Sequence, residues 1–200
     1  IGPNGSGKTT LFNVLSQFIK ADEGEIFFKG KDLTKIKDFE IAKLGISRTF
    51  QETRLFKNLT VFEHIDIALN EGNEKIVSSL IRKNDYEGDV LGVLKKVGLE
   101  NQKGKLASSL SYGQKKLLDL AVAIAKKHDL LMLDEPVSGI NPALRKQINE
   151  FLKKLRKDGE TILLIEHDMN FVMTLADYIY VLDYGNLISE GKPKQIQKNK

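Results

Sequence analysis

The sequence contains no cysteine among its 200 residues, and only four prolines, three methionines and three histidines. Without cysteine there is no disulfide, no thiolate zinc site and no cysteine nucleophile. Long apolar runs are missing too: none approaches the ~20 residues needed to span a bilayer. No signal-peptide pattern opens the chain, because Ile1 already stands inside a glycine loop, and a cytosolic protein is the expectation. A strong charge of one sign is absent as well. Lys and Arg number 31 against 27 Asp and Glu, a net of +4, and the charges are scattered, so neither a nucleic-acid nor a lipid-surface role is implied. What remains is 41% hydrophobic and 29% charged, the composition of a globular protein with one domain, or a core with one subdomain.

Against that plain background the first ten residues stand out. Ile1, Gly2, Pro3, Asn4, Gly5, Ser6, Gly7, Lys8, Thr9 and Thr10 carry the spacing G-x-x-x-x-G-K-T. Glycines let the backbone curl closely around an anion at φ > 0. The loop then runs into a helix whose first N–H groups lack partners and carry the positive end of the macrodipole. Lys8 is the residue to reach the β- and γ-phosphates, and the Thr9 hydroxyl is a Mg²⁺ ligand. A loop of this kind hangs from the end of a β-strand. Only Ile1 precedes it, so the supporting strand is expected upstream of Ile1.

Periodicity predicts a helix over 10–20, two short strands around a glycine turn over 24–33, a short amphipathic helix over 36–44 stopped by Gly45, and a strand over 46–51 that leads into a loop. From Thr60 to Leu99 the pattern is helical throughout, with helices over 61–69, 75–82 and 86–97 and no strand between them. A signal of another kind follows at Leu110-Ser111-Tyr112-Gly113-Gln114, with an amphipathic helix over 115–127 that Ser111 is placed to cap. Apolar runs at 129–136, 161–165 and 178–182 read as strands buried on both faces, with an outer strand over 186–189. Helices are predicted over 142–157, with Pro142 at its first position, and over 169–176. The lysine-rich stretch after Pro193 is expected to fray. Apolar strands alternating with helices predict an α/β protein with a parallel sheet, whose ligands sit at the carboxyl ends of the strands.

Three segments converge on that rim: the glycine loop, Asp134-Glu135 and His167. Phosphoryl transfer needs a cradle for the γ-phosphate, a metal bridging its oxygens, and an aligned water. Asp134, at the end of an apolar strand, is placed to hold Mg²⁺ directly or through a water. Glu135, one residue later, is placed to polarise the water as a general base. His167 directly follows a strand and is placed to donate to a γ-phosphate oxygen, whereas His64 and His128 have no motif around them and read as surface or packing residues. Gln51, at a strand-to-loop exit, offers an amide to the metal or the water.

Taken together and in order, Gly2 to Thr9 (Walker A), Gln51 (Q-loop), Leu110 to Gln114 (signature), Leu130 to Glu135 (Walker B) and His167 (switch histidine) resemble the nucleotide-binding domain of an ABC transporter. The signature discriminates, because other P-loop ATPases lack it; Tyr112 departs from the commonest form, L-S-G-G-Q. A narrower resemblance, to the ATPase subunits of branched-chain amino acid importers, rests on Arg48-Thr49-Phe50-Gln51, on 55–61, on Gly139-Ile140-Asn141-Pro142, on 164–169 and on Tyr112. The resemblance implies a P-loop NTPase (RecA-like) core with a mostly parallel sheet and a small antiparallel β portion, over 1–57 and 105–191. It implies an inserted helical subdomain over 58–104 and leaves 192–200 as a polar tail, with the N-terminal strand or strands and an adenine-stacking aromatic upstream of Ile1.

It further implies an ATPase that uses Mg²⁺ and acts as a homodimer, or a heterodimer with a related ATPase subunit. Ser111, Tyr112, Gly113 and Gln114 of one protomer would close over the ATP held by Gly2 to Thr10 of the other, and Asn141, at the D-loop position, would cross the interface. The loop from Gln51 to Val61 and the helical subdomain would dock integral-membrane permease subunits at the cytoplasmic face of the membrane, and indirectly a solute-binding protein. Import of a small solute, branched-chain amino acids foremost, is the expected work. The rivals are non-transport ABC ATPases of the iron–sulfur assembly, translation-factor or DNA-repair type, an export-type ATPase, and a regulatory module that binds nucleotide without turnover.

Overall fold

The computed structural model describes residues 1–70 and 83–198; the helix expected over 75–82 lies outside the described residues. The chain divides into two compact units. The first comprises Ile1–Arg48, Asp129–Glu135 and Leu155–Lys200; the second comprises Thr49–His128 and Pro136–Lys154.

In the first unit the glycine loop leads into a helix at Lys8–Leu15. This helix ends five residues before the expected boundary, because Ser16 Oγ bonds back to the Phe12 carbonyl at 2.7 Å and Gln17 takes φ +59, which no helix continues. A hairpin follows, β1 at Phe27–Phe28 and β2 at Lys31–Asp32, turned by Lys29 and Gly30 at φ +50 and +75. The helix expected over 36–44 is not continuous. It forms as 3-10 turns at Leu33–Lys35 and Ala42–Leu44 flanking a single α turn at Asp38–Ile41, and Gly45 at φ +89 ends it. One buried contact on that turn, Ile41, does not sustain a longer helix.

The sheet consists of β3 (Ile46–Arg48), β4 (Leu130–Asp134) and β5 (Ile162–Ile165), parallel and in that spatial order. Asp134 lies in register with Ile165, so the two strands end side by side. β4 is buried almost throughout, with Met132 in a core of Phe12, Leu33, Ile41, Ile46 and Ile165. The last two strands form a separate antiparallel ribbon, β6 (Ile179–Asp183) with β7 (Asn186–Gly191). Here the sequence reading needs correcting, because β5 and β6 are only partly buried. Both line an apolar cavity of about 470 Å³, so apolar side chains of each meet that space while its backbone pairs with β4 or β7. The stretch after Pro193 also departs from expectation. It makes a helical turn at Pro193–Ile196, which seats Ile196 against Val172 and Ile179.

The second unit is helical, with Val61–Asn70, Lys83–Val97, Tyr112–Ala125 and most of Pro142–Lys157. It takes in the signature helix as well as the stretch set apart by its pattern in the sequence. Val90, Val93, Leu94 and Val97 are buried at helical spacing. Thr60 and Glu63 form a reciprocal cap at the first helix: Thr60 N–H donates to Glu63 Oε2 at 2.7 Å, and Glu63 N–H to Thr60 Oγ1 at 3.2 Å. The Thr60 N–H, and with it the Thr60 hydroxyl at 2.8 Å, donate to the Glu63 carboxylate and hold it below its ordinary range. His64 is a packing residue, as expected. Its Nε2 accepts from the Phe56 N–H at 3.0 Å and its Nδ1 lies 2.7 Å from the Thr60 carbonyl, which fits the neutral ring with its proton on Nδ1.

Candidate functional site

The glycine loop is wound as an anion cradle. Gly2, Gly5 and Gly7 have φ +150, +81 and +93, a run that a β-carbon would strain. A Cβ on Gly2 would collide with the Leu182 carbonyl, so the loop seats against β6 only as glycine. Hydrogen bonds from Leu182 N–H to the Ile1 carbonyl, 2.9 Å, and from Gly185 N–H to the Ser6 carbonyl, 3.1 Å, tie it to the β6–β7 ribbon. Lys8 is almost entirely buried. Its ammonium spans the loop, donating to the Gly2 and Pro3 carbonyls at 2.9 and 2.7 Å and to Ser6 Oγ at 3.2 Å. Gly7 stands at the helix N-cap with no side-chain acceptor, which leaves the first-turn N–H groups directed at whatever the loop encloses. Pro3, Asn4 and Gly5 on the loop, and Thr9 and Thr10 on the first turn, are exposed.

The same unit carries the carboxylates. Asp134 is 1% exposed, and Arg48 Nη2 stands 3.6 Å from its Oδ2. Glu135 follows at φ +48. For a residue with a side chain that conformation costs roughly 1–3 kcal/mol and is typical of functional positions. Its N–H bonds the Ile165 carbonyl at 3.0 Å, which locks the ends of β4 and β5 together. His167 extends from β5, and its Nδ1 comes within 3.6 Å of Glu135 Oε1. A carboxylate beside an imidazole, one and two residues past paired strand ends, can take a proton from a water and hold the water's partner. Asp168 caps the following helix through the Phe171 N–H at 3.1 Å.

The second unit carries the other motif residues. Ser111 caps the helix Tyr112–Ala125, accepting from Gln114 N–H at 3.3 Å, while Ser111 N–H donates to Gln114 Oε1 at 3.0 Å. This box starts the helix three residues earlier than the sequence pattern suggested. A Cβ on Gly113 would meet the Leu144 side chain, so glycine there also serves the helix packing. Asn141 Oδ1 accepts from Leu144 N–H at 2.9 Å, which caps the helix that begins at Pro142. Gln51 is exposed, and its carbonyl accepts from Lys116 Nζ at 2.7 Å.

Three side chains around these motifs have partners that the sequence does not signal. Arg48, 6% exposed on its side chain, pairs with Asp134, donates to Ser16 Oγ and lies over the rings of Phe12 and Phe18 at 5.6 and 5.7 Å. Lys116 holds Gln51. Asp119 takes a hydrogen bond from the Phe50 N–H, and burial pushes its carboxyl up to about 7 from the ordinary 3.8, against the pull of the Lys116 ammonium and that N–H. The folded chain thus keeps a proton on Asp119 that the unfolded chain releases, so stability falls as pH rises from about 4 to about 7. Asp119→Asn retains an acceptor without the ionisation, and its urea midpoint should decline less over that window than the parent's. Parallel slopes for the two proteins would count against a raised Asp119.

Among the described residues, no group of three or more His, Asp or Glu is arranged to hold a metal ion. That does not argue against Mg²⁺, which takes one or two carboxylates together with phosphate oxygens and water. Asp134, the Thr9 hydroxyl and the Gln51 amide are all hard oxygen donors of the right chemistry. No helix of the described residues is long and apolar enough to cross a membrane.

A family model described as ABC transporter matches residues 1–138. The chain is 41% identical over 204 residues to the probable branched-chain amino acid transport ATP-binding protein LivG of Archaeoglobus fulgidus, spanning 100% of this chain and 79% of that protein. To the high-affinity branched-chain amino acid transport ATP-binding protein LivG of Escherichia coli K12 it is 38% identical over 208 residues, 100% and 82% covered. Among solved structures, a nucleotide-free ATP-binding cassette from an ABC transporter superposes with a TM-score of 0.82 at 34% identity, over 99% of this chain and 81% of that one. A dimeric post-hydrolysis cassette bound to ADP and phosphate gives 0.83 at 27% identity, over 96% and 83%.

Proposed function

The chain belongs to the ABC transporter family as an ATP-binding cassette, an ATPase, and from that premise we propose that it powers import of a branched-chain amino acid through separate membrane permease subunits. The likeness to LivG proteins over the whole chain supports this cargo. The observation that carries the chemistry is the pairing of Glu135 with His167 at the joined ends of β4 and β5, in the same compact unit as the Gly2–Thr10 loop.

In this reading the loop N–H groups and the first turn of Lys8–Leu15 take the β- and γ-phosphates, and Lys8 exchanges a carbonyl partner for a phosphate oxygen. Asp134 and Thr9, in the same compact unit as the loop, would hold Mg²⁺, which would supply charge neutralisation on the phosphates. Glu135 Oε1 accepts the proton of the attacking water, and His167, at its side, orients the γ-phosphate by donating to it. Ser111 and Gly113 of a second cassette, with the dipole of their helix, complete the cradle from the other side. Loss of the γ-phosphate then removes the contact that keeps the pair closed. Phe56 and Ile67, both large and exposed, supply apolar contacts for permease segments, which would hold the subunit at the cytoplasmic face of the membrane.

The test is uptake. With the full chain assembled with its permeases and binding protein in proteoliposomes, leucine, isoleucine or valine should stimulate ATP hydrolysis and enter the vesicle. Lys8→Ala should weaken ATP binding roughly 10- to 150-fold, the loss of a charged hydrogen bond to phosphate, and abolish uptake. Hydrolysis indifferent to every branched-chain amino acid, yet stimulated by another solute, would overturn the cargo and leave the ATPase standing.

A further inference from the structure

The signature helix does more than present Ser111. One turn in from its cap, Lys116 is 5% exposed, and its ammonium bonds the Gln51 carbonyl at 2.7 Å, across 65 residues of sequence. The same ammonium lies 5.9 Å from the centre of the Tyr112 ring. Tyr112 in turn donates from its hydroxyl to the Ser138 carbonyl at 3.5 Å. Its ring edge packs so closely over Gly139 that a Cβ there would stand 3.2 Å from Cε1, and Gly139 is at φ +71. One turn beyond Lys116, Asp119 accepts from the Phe50 N–H. The side chains at 112, 116 and 119 lie on one helical face at i, i+4 and i+7 spacing. Along that face they join Ser138–Gly139 to Phe50–Gln51, all within one compact unit.

We propose that Tyr112 and Lys116 are positioning residues of a strap that transmits engagement of the signature by a second cassette's ATP to Gln51 of the same chain, coupling the two nucleotide sites of the dimer. The physical basis is the stiffness of the parts. A helix started by a reciprocal cap moves as a body, and a largely buried ammonium bonded to a carbonyl at 2.7 Å is a short, charge-assisted bond that follows it. Gln51 has its main chain gripped on both sides, through its own carbonyl and through the Phe50 N–H, so a shift of the helix is delivered to the backbone that carries its amide. Tyr112 accounts for the departure from a second glycine in the signature. Its ring adds the link to 138–139 that glycine cannot make.

The inference rests on the two-cassette reading above, and the test separates the two. In the assembled transporter carrying Glu135→Gln, ATP should slow amide exchange at 111–114 and, through the strap, at 49–54. Lys116→Met keeps the aliphatic stem and removes the donor. It should keep the protection at 111–114 and lose that at 49–54, about a tenfold difference for one charge-assisted bond. In the parent background Lys116→Met should lower kcat and bring the Hill coefficient for ATP toward 1 with KM little changed, and Lys116→Arg should restore both. Tyr112→Leu, at a residue 52% exposed and so without risk to folding, should lower the Hill coefficient together with kcat. ATP protection at 49–54 that survives Lys116→Met, or a Hill coefficient untouched by Tyr112→Leu, would overturn the strap. Absence of ATP protection at 111–114 in the Glu135→Gln background would instead overturn the two-cassette reading.

Discussion

Glu135→Gln should lower ATP turnover by about 10²- to 10⁴-fold, the contribution of a well-placed general base. Nucleotide affinity should change little. The amide is isosteric with the carboxylate, so it fits the same space 3.6 Å from His167 Nδ1. The backbone bond from residue 135 to the Ile165 carbonyl does not depend on the side chain. What the amide cannot do is accept a proton from water. A substitution that removes only a transition-state interaction lowers kcat without raising KM, and ATP left uncleaved should accumulate a closed dimer visible by size-exclusion chromatography. The φ of +48 at this position argues in the same direction, since strain kept at one residue beside a histidine is a sign of function. Turnover within a few-fold of the parent would remove Glu135 from the role of base.

Arg48→Ala should destabilise the first unit by about 3–5 kcal/mol, because it takes the guanidinium away from the buried carboxylate of Asp134. The two side chains are 6% and 1% exposed, so water cannot replace the guanidinium. The same truncation removes the bond to Ser16 and the contacts over Phe12 and Phe18, which anchor the helix after the glycine loop. Urea unfolding monitored by far-UV circular dichroism measures the loss. Adding Asp134→Asn to Arg48→Ala should return part of it, since the stranded charge is then gone. A double variant no more stable than the single one would mean that the packing of Arg48 on the rings, and not its charge, is what the fold relies on.

Arg48 also illustrates what could not be read along the chain. Its partners, Ser16 and Asp134, lie 32 and 86 residues away in sequence, and a lone arginine at a strand exit carries no local sign of either. The same holds for Lys116, a lysine on an amphipathic helix with nothing near it in sequence to name a partner, which is buried and bonds the Gln51 carbonyl. By contrast the glycine loop and the Ser111 cap were legible, because each acts through neighbours within a few residues. The parallel β4–β5 pair was legible from continuous apolar runs. The same signal misjudged β5 and β6, because an apolar run reports that a strand avoids water and not what covers it.

Boundaries failed for a related reason. The first helix stops at Ser16 and Gln17 through one side-chain bond and one positive φ, and the signature helix starts early through a reciprocal cap. Each is a bond or two that outweighs several residues of periodic pattern. Residue chemistry and short spacing, working through local backbone geometry, therefore determined the phosphate loop, the carboxylates at the end of β4, the signature and the family they belong to. Only the tertiary structure decided that Glu135 meets His167, that Arg48 balances Asp134 and that Lys116 grips Gln51. The reason is physical: a charge or a donor far along the chain has no preferred partner until burial brings the two together and removes the water that would otherwise satisfy each alone.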